Sequence, residues 1–157
     1  MAFPKVGNMA PAFTLSNQKG EKVSLKQFKD DKNVVVYFYP KALTPGCTTQ
    51  ACGIRDYKSE FKKAKTVVLA ISPDPVAKLE RFDDKYELAF DLLSDEDHKA
   101  IEKYGVWQLK KFMGREFMGV VRTTFIIGKD GRLKHVMDKV KTKSHHDDVL
   151  DWIKNNL

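Results

Sequence analysis

The chain has two cysteines, Cys47 and Cys52, and both fall in one stretch, Thr44-Pro45-Gly46-Cys47-Thr48-Thr49-Gln50-Ala51-Cys52. An apolar run, Val34-Val35-Val36-Tyr37-Phe38-Tyr39, leads into it, and a helix-like pattern follows. Cys47 is therefore expected where a buried strand ends and a helix begins. The first N–H groups of a helix have no intrahelical acceptor, and the helix dipole favours negative charge at that end. A cysteine held there is favoured as the thiolate, which is the nucleophile. The competing reading is that both cysteines are small, inert core residues.

The neighbours bear on that choice. Pro40 directly follows the apolar run; it either punctuates the chain or leans over the thiol and shields it from water. Thr44 stands three residues before Cys47, as a helix cap or as a hydroxyl presented to an oxygen at the sulfur. Gly46 is turn chemistry, or it lets a small substrate reach the N–H groups of the first turn. Arg122 lies in Val120-Val121-Arg122-Thr123-Thr124-Phe125-Ile126-Ile127, an otherwise apolar segment. A charge in such a segment is rarely buried without a partner. It either reaches solvent at a strand end or faces an anion, for which a thiolate qualifies.

Cys52 follows Cys47 by five positions, which is not the C-x-x-C of a thioredoxin-type dithiol. On an ideal helix the two Cα atoms lie about 8.7 Å apart on different faces, and a disulfide needs roughly 7 Å or less. If Cys52 reacts with Cys47, the first turns must unwind, and Gly46 and Gly53 weaken the helix on either side. Otherwise Cys52 is an inert helix cysteine.

The surrounding pattern supplies the scaffold. Gly7 to Leu15 reads as an extended lead-in, Asn17 to Gly20 as a turn, and Glu21 to Leu25 as a short strand, with one helical turn to Phe28. Val34 to Tyr39 reads as a strand buried on both faces. A helix is expected from Pro45 to Lys63, with Thr44 as its cap and Ile54, Tyr57, Phe61 and Ala64 at helical spacing. Thr66 to Ser72 is a second buried strand. A helix from Asp74-Pro75 to Tyr86, a strand from Phe90 to Ser94 and a short helix from Asp95 to Tyr104 follow. Val106 to Met118 reads as a loop with some local structure. Val120 to Ile127 and Leu133 to Val140 are strands joined by a Gly128 to Gly131 turn, and Ser144 caps a last helix through Leu157. This order predicts one domain over residues 1–157, of the α/β class, with a mixed sheet and helices on both faces.

The chain as a whole restricts the function classes. Its N-terminus lacks the apolar segment of an export signal, and no apolar run is long enough to span a bilayer. A reducing cytoplasm is expected, where a cysteine pair is more often catalytic or metal-binding than structural. The formal charge of +7 raises nucleic-acid binding. The lysines, however, are scattered among acids, and a solvated surface that steers an acidic protein partner fits better. His98, His135, His145 and His146 do not combine with the cysteines in a zinc spacing; His145 and His146 read as first-turn residues of the last helix.

The stretch Pro40-Lys41-Ala42-Leu43-Thr44-Pro45-Gly46-Cys47 resembles the active-site loop of peroxiredoxins: Pro, three residues, Thr, two residues, Cys. The Thr-Pro-Gly-Cys-Thr form with a second cysteine five positions on resembles the Q-type branch, also called bacterioferritin comigratory proteins. The likeness extends to the lead-in, to Arg122-Thr123-Thr124-Phe125 and to the Gly128 to Gly131 turn. It implies a thioredoxin-like fold and thiol peroxidase activity. Cys47 matches the peroxidatic cysteine and Cys52 the resolving one, with Pro40, Thr44 and Arg122 as the rest of the site. It also implies an intramolecular disulfide reduced by thioredoxin or a similar dithiol, with hydrogen peroxide or organic hydroperoxides as substrate and no metal or other cofactor. A monomer with no nucleic-acid or membrane partner is expected. Leu43 departs from the pattern, since a polar residue, often Asn, is usual there; it bears on access or on a preference for apolar hydroperoxides. The alternative is a disulfide oxidoreductase on the same fold, against which the missing C-x-x-C argues.

Overall fold

The computed structural model describes residues 3–157; Met1 and Ala2, the start of the stretch read as lacking an export signal, lie outside them. The N-terminal arm pairs β1 (Thr14–Ser16) with β2 (Lys22–Ser24) in antiparallel register. The Asn17 side-chain oxygen accepts the N–H groups of Lys19 and Glu21 and closes the turn between them. A single 3₁₀ turn, Leu25–Phe28, follows, held by Gln27 reaching back to the Ser24 N–H.

The sheet is built outward from β3 (Asn33–Phe38), which is buried along its whole length. Parallel to it run β4 (Thr66–Ser72) and then β5 (Asp91–Ser94); on its other side β8 (Thr123–Ile127) pairs antiparallel, followed by β9 (Leu133–Met137). The order across the sheet is β2-β1-β5-β4-β3-β8-β9. Two strands, β6 (Trp107–Phe112) and β7 (Arg115–Val120), form a ribbon of their own.

Side chains of a strand alternate between faces, and β3 shows what each face does. Val34, Val36 and Phe38 enter a cluster with Phe125, Ile101 and Tyr104 beneath α4 (Lys99–Lys103). Val35, Tyr37 and Tyr39 enter a second cluster with Ile126 and Cys47, covered by α1 (Pro45–Asp56), α3 (Val76–Tyr86) and α5 (His145–Asn156). The mixed sheet with helices on both faces is as expected.

Several boundaries differ from the sequence reading. The helix expected from Pro45 to Lys63 breaks at Tyr57 (φ −108°, ψ 18°), and α2 (Lys58–Lys63) continues separately. Ile54 and Phe61 are both buried, but the break lets each segment keep its own face on the sheet. The short helix begins at Lys99 rather than Asp95, because the Asp95 carboxylate accepts the N–H groups of Lys99 and Ile101 from outside the first turn. Residues 106–118 are not a loop but most of the β6–β7 ribbon. Its turn is Met113-Gly114, both at positive φ (51° and 79°), the geometry of a tight hairpin that usually carries Asn-Gly. The strand expected from Val120 splits: Val120 closes β7, β8 starts at Thr123, and Arg122 stands in the gap.

Candidate active site

Cys47 sits in the first turn of α1, at the carboxyl end of β3, where open α/β sheets place their ligands. Pro45 opens the helix and has no N–H to leave unpaired. The Thr48 N–H is satisfied by the Thr44 carbonyl (2.9 Å). Gly46 and Cys47, between them, direct their N–H groups out of the helix end with no intrahelical acceptor. Cys47 faces inward and is only 1% exposed.

Arg122 meets it from the gap between β7 and β8. Its Nη2 donates to Cys47 Sγ at 3.1 Å and its Nη1 to Gln50 Oε1 at 3.0 Å. Gly46 eases the approach, because a Cβ there would stand 3.1 Å from Nη2, tighter than ordinary contact. Burial pushes the phenols of Tyr37 and Tyr39 up, so both stay neutral at pH 7 and neither competes with the sulfur for the guanidinium.

A chain of hydrogen bonds fixes the arginine. Since the Gln50 carbonyl accepts from Arg122, its amide nitrogen turns to His145 Nδ1 at 3.3 Å. That nitrogen must then accept, so the neutral ring carries its proton on Nε2, 2.7 Å from Thr124 Oγ1. His145 is buried under the Tyr37 ring, whose centroid lies 5.1 Å away. Burial first, then the neighbouring His146 and Arg122, hold its pKa down at about 3. A neutral imidazole is the form the chain needs.

The loop ahead of the helix is anchored from the opposite side. The Asp74 carboxylate accepts the Ala42 N–H (2.7 Å) and the Ser72 hydroxyl (2.9 Å), and pairs with Lys78 at 3.3 Å. Leu43 follows at φ +66°, a left-handed conformation that Asn tolerates and Leu does not favour. Thr44 occupies the cap position without capping: its hydroxyl donates to the Lys41 carbonyl at 2.8 Å. Its oxygen lone pairs are thereby aimed away from that carbonyl. Pro40 is half-buried at the strand-to-loop junction, next to Tyr39.

The structure thus joins Cys47 and Arg122 directly and places Thr44 and Pro40 on the loop that delivers the cysteine. Cys52 is different. Both thiols are free, and Cys52, half-buried, packs at the edge of the same apolar cluster one and a half turns along an intact α1. Gln50, Thr124, His145 and Asp74 belong to the site as well, though the sequence reading passed over them. His146 is indeed a first-turn residue of α5, but it backs onto α1: its ring fills the space a Gly53 side chain would need and lies 4.6 Å from the Tyr57 ring. Among the described residues, no group of three or more His, Cys, Asp or Glu is placed to hold a metal, and no helix is long and apolar enough to cross a membrane.

Residues 6–136 match the model of the AhpC/TSA family. The chain is similar to peroxiredoxin Bcp of Escherichia coli K12, 53% identical over 152 residues covering 97% of each. It also resembles the crystal structure of peroxidoxin BcpB from Mycobacterium tuberculosis, at TM-score 0.85 and 33% identity over 98% of each chain. A third likeness is to the Xanthomonas campestris bacterioferritin comigratory protein described for its alkyl peroxide reduction. There the TM-score is 0.86 at 33% identity, over 91% of this chain and 90% of that one.

Proposed function

This chain belongs to the AhpC/TSA family and is a peroxiredoxin, and we propose that Cys47 is the thiol that reduces the peroxide. The observation that carries this reading is the Arg122 contact: a guanidinium 3.1 Å from a buried sulfur, at a helix end that offers two free N–H groups. A thiol peroxidase needs that combination. A disulfide oxidoreductase without peroxidase activity exchanges between two cysteines of the closed site, and Cys52 is out of reach of Cys47 while α1 is intact.

In the proposed reaction a hydroperoxide enters at the mouth formed by Pro40, Thr44 and Gly46. Its hydroxyl donates to Thr44 Oγ1, whose own proton is committed to Lys41. The Cys47 thiolate attacks the terminal oxygen along the O–O axis. The S–O bond forms as the O–O bond breaks, and the departing alkoxide or hydroxide takes a proton from solvent water at the mouth of the site. Arg122 and the free N–H groups hold charge as it moves from sulfur to oxygen. The products are water or an alcohol and a Cys47 sulfenic acid. The Cys52 thiol then displaces water from the sulfenic acid to form a disulfide, after the first turns of α1 open. A dithiol of the thioredoxin kind returns both cysteines to thiols by exchange. Hydrogen peroxide and alkyl hydroperoxides are the expected substrates, the latter in keeping with the Xanthomonas relative.

Intact-mass analysis after one equivalent of hydrogen peroxide tests the scheme. Wild type should lose two hydrogens. Cys52→Ser should instead gain one oxygen and advance to the sulfinic acid in excess peroxide. An unmodified mass in the Cys52→Ser protein would overturn the assignment of Cys47, and Cys47→Ser should stay unmodified under the same conditions.

A further inference from the structure

The β6–β7 ribbon is the part of the molecule that the chemistry leaves unexplained. It makes its own sheet, and it is joined to the core at its base, where Val120 is buried and Trp107 packs against the cluster above β3. Beyond that base its side chains are uncovered. Phe112 is 67% exposed and Met113 87%, with Leu109, Phe117 and Met118 also exposed.

Register decides what kind of partner fits. Opposed residues of an antiparallel pair share a face. Leu109 opposes Met118 on one face, with Lys111 opposite Glu116 beyond them; Lys110 opposes Phe117 on the other, with Phe112 opposite Arg115 beyond them. Both faces therefore expose apolar side chains; one ends in the Lys111–Glu116 ion pair (3.5 Å) and the other in Arg115, while half-buried Lys110 donates to the Val120 carbonyl (2.9 Å). A protein groove would cover one face and leave the other wet. An apolar medium that surrounds the tip satisfies both. A second copy of this chain is disfavoured by its own charge of +7. A surface with an apolar interior and an anionic skin matches both the side chains and the charge.

We propose that the β6–β7 ribbon is a peripheral attachment site for anionic lipid bilayers. The Phe112-Met113 tip enters the interfacial zone, and Arg115 remains among the headgroups beside the Lys111–Glu116 pair. The outer edges of a two-stranded ribbon carry unpaired N–H and C=O groups, so it penetrates no deeper than that zone.

Co-sedimentation of the full chain with vesicles tests the site. With vesicles of phosphatidylcholine containing roughly one third phosphatidylglycerol, wild type should bind, and it should release at about 1 M salt, where the Debye length is about 3 Å. The double variant Phe112→Ser, Met113→Asn should bind at least about tenfold more weakly; asparagine tolerates the left-handed turn. Arg115→Glu should weaken binding several-fold. Both should consume hydrogen peroxide in vesicle-free buffer as wild type does, which also shows that they fold. Wild type that stays in solution, or a double variant that binds equally well, overturns the proposal. So does sedimentation showing a wild-type dimer that the double variant abolishes, which would make the ribbon a contact between copies. Loss of peroxide turnover in wild type itself would strike the peroxidase reading and leave vesicle binding to be judged alone.

Discussion

The two faces of β3 are equally buried and differently composed. On one, Val34, Val36 and Phe38 meet Phe125 and Tyr104, and Phe125 packs edge to face with both other rings: Phe38 and Phe125 have centroids 5.7 Å apart at 90°. On the other, Val35, Tyr37 and Tyr39 share their space with a thiol, a glutamine, a threonine and a histidine. The Tyr39 hydroxyl there is buried without a partner among the described residues. The first face has mostly contact area at stake, with the Tyr104 hydroxyl donating to the Pro11 carbonyl (2.7 Å), and it holds the strand in place. The second holds polar groups that are satisfied only while α1 stays docked. The difference shows how one sheet can be rigid and reactive at once: rigidity is drawn from one side and chemistry from the other.

Substitutions should separate the two faces. The largest expected effect is on stability, from Phe38→Ala, which removes a fully buried ring and should cost about 3–5 kcal/mol. Denaturant unfolding measures that loss, while turnover per folded molecule should stay near wild type. If activity per folded molecule collapses too, the faces are not independent. Arg122→Met, on the reactive side, should reverse the pattern. We expect roughly a hundredfold slower peroxide consumption, about 2.7 kcal/mol of transition-state stabilisation, with a much smaller change in unfolding midpoint. A rate within a few-fold of wild type would mean that the arginine does not serve the sulfur.

A pH titration sharpens the comparison further. His145 is held neutral with its pKa depressed to about 3, among Gln50, Thr124, Tyr37, His146 and Arg122. Once α1 undocks or the chain unfolds, the ring regains an ordinary pKa of about 6.5. The open state then binds the extra proton between those values, so stability rises with pH there and is independent of this group above about 7. Its share of the slope is at most about 1.4 kcal/mol per pH unit. Hydrogen exchange across α1 should accelerate as pH falls through 6, once corrected for intrinsic rates, and His145→Asn should remove that dependence. A dependence that survives the substitution would assign it to another group. The smallest effect concerns Leu43. Relieving its left-handed backbone with Leu43→Asn should stabilise the protein by about 1 kcal/mol, read as a small rise in melting temperature. No change would mean that contacts of the leucine offset the strain.

What could be read from the chain follows from how unusual each residue is in its local setting. Cys47 after an apolar run and Arg122 inside one stand out, because burial of either asks for a reason. Gln50 does not, since a glutamine on a helix reads as solvent-facing until the docking face is known. His145 and His146 read alike as polar first-turn residues, yet one completes the arginine's support and the other packs on Gly53 and Tyr57. The hairpin escaped because Lys110-Lys111 interrupts the alternation of β6, and because Met-Gly occupies a turn that usually carries Asn-Gly. Thr44 was expected to cap α1; it has the position of a cap, while the hydroxyl direction depends on a carbonyl three residues back. The order of elements along the chain was legible in outline because β3, β4 and β5 are each followed by a helix. The separation of β7 from β8 was not, because Val121 and Arg122 look like a continuation of both.

The partners Cys47 and Arg122 are 75 residues apart in the chain. During synthesis at about 5–20 residues per second, the cysteine emerges roughly 4–15 s ahead of the arginine. His145, which steadies the arginine through Gln50, follows later still, 95 residues behind its glutamine. For that interval the thiol has neither the Arg122 guanidinium beside it nor its helix docked on α5. On the role proposed for Cys47, reactivity toward oxidants comes with completion of the fold, and an unfinished polypeptide on the ribosome presents no assembled site to the peroxides around it.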